Sequence, residues 1–275
     1  MIMNVFRNAA IGVLISAVAA PSFALSSLQV SSWKQATSHP IRPEIDIMST
    51  RTLSAAETDT SARSALADSV IYTYAPPNSH QAYPIQSIPG ASIVPTAYFR
   101  SLTDLSSALS SGALTGYRAV LLDLEDWSFT PISEQENIPG TYAAAQKLLA
   151  GTGITLIGSP GIKYAIQVAP YVNVLDLQIQ RYEFDSAEYL AQATRLAEGA
   201  RAVAPAIKIT AGVSTNPPAG VASAWTMFKA YAVAGSIVNG LWMNVPTPGP
   251  GCPTCSAYNP NAANIFFDML GNRLT

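Results

Sequence analysis

Short runs of apolar and β-branched residues recur along the chain at 69–75, 92–99, 117–125, 154–159, 174–181, 208–215 and 240–245. Each has the length of a strand, and most are followed by a stretch in which apolar residues return every three or four positions. Leu102, Leu105 and Leu109 share a face in 101–110, as do Tyr142, Ala145, Leu148 and Leu149 in 141–150. A longer helix is predicted over 186–203, carrying Tyr189, Leu190, Leu196 and Val203, with further helices over 221–238 and 262–270. Strands alternating with helices define βαβ units and a parallel sheet. An eighth strand, near 45–48 or hidden in 163–173, would complete an α/β fold of the (β/α)8 TIM-like barrel type. The competing architecture is an open doubly wound sheet, but no strand is followed by a Gly-rich dinucleotide fingerprint. Gly151 and Gly153 precede a strand and read as helix-ending glycines.

Period-two alternation then sorts each strand into two faces. In 117–125, Val120, Leu122 and Leu124 form an apolar row, which leaves Leu121, Asp123 and Glu125 on the other face. A buried parallel strand is ordinarily apolar on both faces, so two carboxyls at its C-terminal end need partners or a task. Arg181 and Lys163 are the candidate structural partners, while Asp126 breaks the alternation, and Thr130, Pro131 and Glu134 look like a helix start. The same sorting turns Asp176, Gln178 and Gln180 inward on one strand, and Gly212, Ser214 and Asn216 on the next. It also turns Gly240, Trp242 and Asn244 inward on the last strand, and Tyr72 and Tyr74 near the first. These groups meet at the C-terminal mouth, where barrels of this kind gather their sites. Amides, hydroxyls, aromatic faces and a few carboxyls suit a carbohydrate, whose hydroxyls need directional partners and whose C–H faces stack on rings.

Composition narrows the context. Residues 1–24 have one cation, Arg7, an apolar run over 9–20 and small residues Ser22 and Ala24, the pattern of a secretory signal peptide cleaved near Leu25. A Ser/Thr/Ala-rich arm is expected over 25–68, and the barrel domain over 69–275. Charged residues make up 12%, and the formal net charge of -2 becomes -3 once Arg7 leaves with the leader; this speaks against nucleic acid as a partner. No later segment is long and apolar enough to span a membrane. Cys252 and Cys255 are the only cysteines, and in an exported chain they predict a small disulfide in a Pro/Gly-rich loop rather than a redox dithiol. Their lack of further ligands, with only His39 and His80 elsewhere, points away from zinc. There is no G-x-S-x-G elbow and no phosphate loop, so carboxylate chemistry without a cofactor remains.

DLEDW at one strand end, QIQRY two strands later and GLWMN on the last strand resemble the chitinase-type glycoside hydrolases. The resemblance implies Glu125 as proton donor, Asp123 orienting a substrate N-acetyl group, and Tyr182 and Trp242 contacting the sugar. That family's longer acidic motif has acids further back, where this chain holds Leu121 and Arg118. DLEDWSFTPISEQ, LQIQRY, GVSTNPP, GLWMNVP and CPTC together are also similar to exported bacterial (β/α)8-barrel proteins of undescribed function. The leading expectation is a secreted or periplasmic monomer that hydrolyses a glycan, with Glu125 as general acid and Asp123, Asp176 or Glu183 as second carboxylate. Substrate contacts would come from Tyr74, Asp176, Gln178, Gln180, Tyr182, Ser214, Asn216, Trp242 and Asn244. A non-catalytic barrel binding a saccharide or peptide is the alternative, and an esterase or amidase using His80 a third. A working acid at Glu125 would have its pKa raised, whereas pairing with Arg181 in a mere binder would lower it.

Overall fold

The computed structural model describes residues 43–77, 88–249 and 252–271. The leader, the arm up to residue 42, His39 and His80 lie outside the described residues. Eight parallel strands close into a barrel in sequence order: β1 (Ile45–Ser49), β2 (Val70–Ala75), β3 (Ser92–Phe99), β4 (Ala119–Leu122), β5 (Thr155–Gly158), β6 (Val174–Leu177), β7 (Lys208–Ser214) and β8 (Gly240–Asn244). The last pairs back onto the first, Ile45 opposite Gly240 and Ile47 opposite Trp242. The (β/α)8 barrel expected from the pattern is therefore the observed fold.

Two boundaries differ from the sequence reading. The segment up to residue 68, assigned there to an arm, supplies β1 and two helices, Thr50–Glu57, which packs on β1 and β2, and Thr60–Ala65, which packs on the C-terminal helix Pro260–Gly271. Their buried faces are made largely of Thr and Ala (Thr50, Thr52, Leu53 and Ala56 in the first), which reads weakly as an apolar stripe, and what starts them is capping: Ser49 Oγ accepts from the Thr52 N–H and Asp59 from the Ser61 and Ala62 N–H groups. Strands β4 and β6 end several residues before their apolar runs do: β4 gives way to a loop after Leu122, and after β6 the chain turns into a 3-10 helix at Gln180–Tyr182. The 163–173 segment holds only short helical turns, so the eighth strand is β1.

Alternation sorts the strands as predicted. Val120, Leu122, Leu124, Leu175, Leu177, Ile179, Ile209, Ala211, Val213, Leu241 and Met243 belong to the core between sheet and helices. Ile45, Ile47, Ala119, Leu121, Ile157, Val174 and Trp242 form a second cluster that fills the lower lumen, with Tyr72, Tyr74, Val94 and Tyr98 against it. The lumen is thus a packed floor with a polar top. Gly212 makes room in it: a Cβ there would lie 2.8 Å from Gln180 Oε1 and 3.4 Å from Trp242 Cε3.

Candidate functional site at the mouth of the barrel

The chain leaves β4 at Leu122 and keeps the sheet register for one more residue, because the Asp123 N–H donates to the Phe99 carbonyl (2.9 Å). Asp123 therefore stays on the lumen side and is buried. Its two carboxyl oxygens are both engaged: the Tyr98 hydroxyl donates to Oδ2 (2.8 Å) and Gln178 Nε2 to Oδ1 (3.1 Å). Gln178 is held in turn by the Ser159 carbonyl (2.9 Å). Two residues on, Glu125 is half-buried and opens onto the cleft. Its loop is pinned from behind. Thr130 Oγ1 accepts from Trp127 Nε1 (2.9 Å) and donates to the Arg100 carbonyl (3.1 Å), while Gln135 Nε2 reaches the Trp127 and Thr130 carbonyls.

The cleft has a volume of about 830 Å³. Of the residues expected there, Asp123, Glu125, Gln178, Gln180, Ser214, Asn216, Trp242, Asn244 and Tyr74 line it. Trp242 Nε1 donates to the Tyr74 hydroxyl at 3.3 Å, and the Tyr74 and Tyr98 rings lie 5.5 Å apart, so an aromatic band crosses the floor to the acid pair. One wall is the loop of Cys252 and Cys255, which form the expected disulfide. The Ser256 N–H ties that loop to Asn216 Oδ1 (2.8 Å).

Three expected residues are placed elsewhere. Asp176 is sealed beneath the cleft, accepting from the Ser159 hydroxyl (3.0 Å) and the Thr210 hydroxyl (2.9 Å). Glu183 is buried behind β7 and accepts the Ser214 N–H, bracing the turn that carries Gln180. Tyr182 packs on the outer core instead of facing a sugar. Asp176 keeps its inward place on β6 but lies below the level of the cleft, whereas for Tyr182 and Glu183 the strand has ended and the 3-10 turn carries the side chain off the alternating path. Lys163 pairs with Asp126, not with either inward acid.

Tyr98, Arg100, Trp127 and Phe129 also line the cleft and were not singled out from the sequence. Tyr98 had a signal: Val94, Thr96 and Tyr98 alternate on β3, obscured by Pro95.

Burial raises the pKa of Glu125, against the opposing pull of Gln178 and Arg181. Burial, then the charge of Glu125, pushes Asp123 well above the usual carboxylate range despite its two donors. The pair thus retains a proton to higher pH than isolated carboxyls would, and it titrates as a unit. Glu183 is raised by burial as well. Asp176 is pushed by burial to about 7. So is Asp46, on the outward face of β1, whose oxygens meet no donor while the adjacent Ser69 hydroxyl donates to the Leu66 carbonyl.

These shifts set a pH dependence of stability. Below about pH 4, near the ordinary 3.8 of Asp46 and Asp176, both folded and unfolded chains hold these protons and the stability is fully present. Between about 4 and about 7 only the unfolded chain releases them, so stability falls as pH rises, with the loss complete above the folded-state values. Each acid contributes a loss on the order of a few kcal/mol. Calorimetry should show a melting temperature about 10 °C lower at pH 8 than at pH 5; a higher one at pH 8 would refute the assignment.

Fold and mouth together define an all-parallel (β/α)8 barrel with an acid pair at the C-terminal ends of its strands. No protein-family profile matches the chain, and no curated protein sequence matches it significantly. Solved structures similar in fold include one from Coccidioides immitis assigned as a fructose-1,6-biphosphate aldolase, with 11% identity, 87% of this chain and 94% of that chain covered, and a TM-score of 0.44. The YdjI aldolase from Escherichia coli K12 gives 11% identity, 77% and 79% coverage and a TM-score of 0.42. The carboxyl transferase domain from Rhizobium etli pyruvate carboxylase gives 9% identity, a TM-score of 0.43 and 86% coverage of this chain, which spans 48% of that one. Among the described residues, no group of His, Cys, Asp and Glu is placed to hold a metal ion. No helix among them is long and apolar enough to cross a membrane.

Proposed function

We propose that the chain is an exported glycoside hydrolase in which Glu125 is the general acid. The observation that carries this reading is the proton-retaining pair of Asp123 and Glu125, set in an aromatic- and amide-lined cleft. Cleaving a glycosidic bond calls for one carboxylic acid and one carboxylate in the same site. A coupled pair that has lost only its first proton supplies that combination. Glu125 faces the cleft and so delivers its proton to the leaving oxygen. Asp123 has the larger upward shift, so in this reading its two donors, Tyr98 and Gln178, must hold its carboxylate form while Glu125 carries the shared proton, and that carboxylate stabilises the positive charge that develops on the sugar. The bond from the anomeric carbon to the leaving oxygen breaks, water adds its oxygen to that carbon, and the proton it loses returns to Glu125.

Trp242, Tyr74 and Tyr98 offer rings for sugar faces, and Gln180, Asn216 and Asn244 offer amides for hydroxyls. The role assigned to Glu125 is the one implied by the motif resemblance to chitinase-type enzymes. The tyrosine supporting it is Tyr98 rather than Tyr182. Export agrees with the disulfide and with the predicted leader.

The test is release of reducing ends from a panel of microbial and plant polysaccharides by wild type and Glu125→Gln. Hydrolysis by wild type alone supports the reading. A wild type that binds one of these glycans while releasing nothing would replace it with a saccharide-binding barrel.

A further inference from the structure

The cleft contains two guanidinium groups as well as its two acids. Arg100 follows β3 directly and Arg181 follows β6, so they flank the β4 loop that carries Glu125. Only 15 lysines and arginines occur in the whole chain, and surface charge is sparse. Neither Arg100 nor Arg181 forms an ion pair among the described residues, in contrast to Lys163 with Asp126 and Lys208 with Glu44.

Both arginines sit on braced backbone. The Arg100 carbonyl accepts from the buried Thr130 hydroxyl, and its guanidinium lies 3.9 Å from the centre of the Phe129 ring. The turn holding Arg181 is anchored two residues later by the Glu183 carboxyl on the Ser214 N–H. Stacked or anchored guanidinium groups lose little freedom when they engage a planar anion. Burial raises the pKa of both acids, which reduces the negative charge they set against the guanidinium groups. Two guanidinium groups lining the cleft without an ion-pair partner among the described residues suit the mouth to an anion.

We propose that the substrate is an acidic glycan, with carboxylate or sulfate substituents received by Arg100 and Arg181 on either side of the acid pair. This rests on the glycan reading above and narrows its substrate class. A guanidinium matches either group with paired, charge-assisted hydrogen bonds.

The experiment is affinity electrophoresis of the Glu125→Gln protein, with cold wild-type protein in parallel. The gels contain polygalacturonate or its fully methyl-esterified form, and a sulfated galactan or its desulfated form. At least one charged polymer should be bound about tenfold or more tightly than its neutral counterpart. The pair showing that preference identifies carboxylate or sulfate as the group recognised. The preference should shrink with added salt, and shrink again in Arg181→Gln and Arg100→Gln proteins whose circular dichroism matches wild type. Equal or tighter binding of the neutral forms would overturn the acidic-glycan inference while leaving the glycan reading in place. Failure to bind any polymer here or in the hydrolysis panel would remove both.

Discussion

Glu125→Gln should lower turnover by about two to four orders of magnitude, the range that a positioned general acid supplies. Gln keeps the shape and the hydrogen-bonding capacity of the side chain but has no proton to give. Glycan binding should change far less than turnover, because Trp242, Tyr74 and the amides are untouched. The pH profile provides a separate check. With Glu125 raised by burial and Asp123 raised by burial and by its neighbour, the active form of the pair holds one proton. The wild-type rate should therefore be bell-shaped in pH, with both limbs above the ordinary carboxylate range. Tyr98→Phe removes one donor from Asp123 and should move the acidic limb further up, since that bond favours the ionised form. An unchanged rate in Glu125→Gln, or an acidic limb at ordinary carboxylate values, would contradict the assignment.

Gly240→Ala should prevent the barrel from closing. A Cβ at this position would stand 1.9 Å from the Ile45 carbonyl oxygen and 2.7 Å from its carbon, both backbone atoms of the neighbouring strand. Backbone held on both sides in a sheet cannot swing away as a flexible side chain would. Gly240 is paired with Ile45 on one side and Thr210 on the other. Relief requires β8 to shift against β1, which would disturb the seating of Trp242 opposite Ile47. The expected cost exceeds about 4 kcal/mol, at the far end of single-substitution effects. Expression of the variant should give aggregated protein or a greatly lowered melting temperature, whereas Gly112→Ala, with nothing near its Cβ, should cost much less despite its positive φ. A Gly240→Ala protein that melts like wild type would mean the β1–β8 contact is looser than described.

Periodicity was sufficient for seven of the strands and for which of their residues face the lumen, because a slip of one residue would exchange a strand's two faces. Asp123, Glu125, Gln178, Ser214, Trp242 and Asn244 were accordingly legible. The two helices between β1 and β2 were not, since Thr and Ala rather than large apolar residues make up most of their buried faces. Alternation also stops being a guide where a strand ends. Tyr182 and Glu183 lie one turn beyond β6 and face the protein rather than the cleft. Arg100, Trp127 and Phe129 reach the mouth through loop geometry and the Thr130 hydrogen bonds, which no residue period encodes.

The barrel is joined by the Ile45 N–H donating to the Asn239 carbonyl, and alongside it Glu44 meets Asn239 across a sequence separation of 195 residues. A nascent chain that has emerged only as far as β7 lacks the strand that closes the ring, so it carries two open edges and an unroofed lumen. Such a chain is a template for pairing with its neighbours until the last strand arrives. Completion is therefore a late event, governed by loop closure over most of the described chain rather than by any local element.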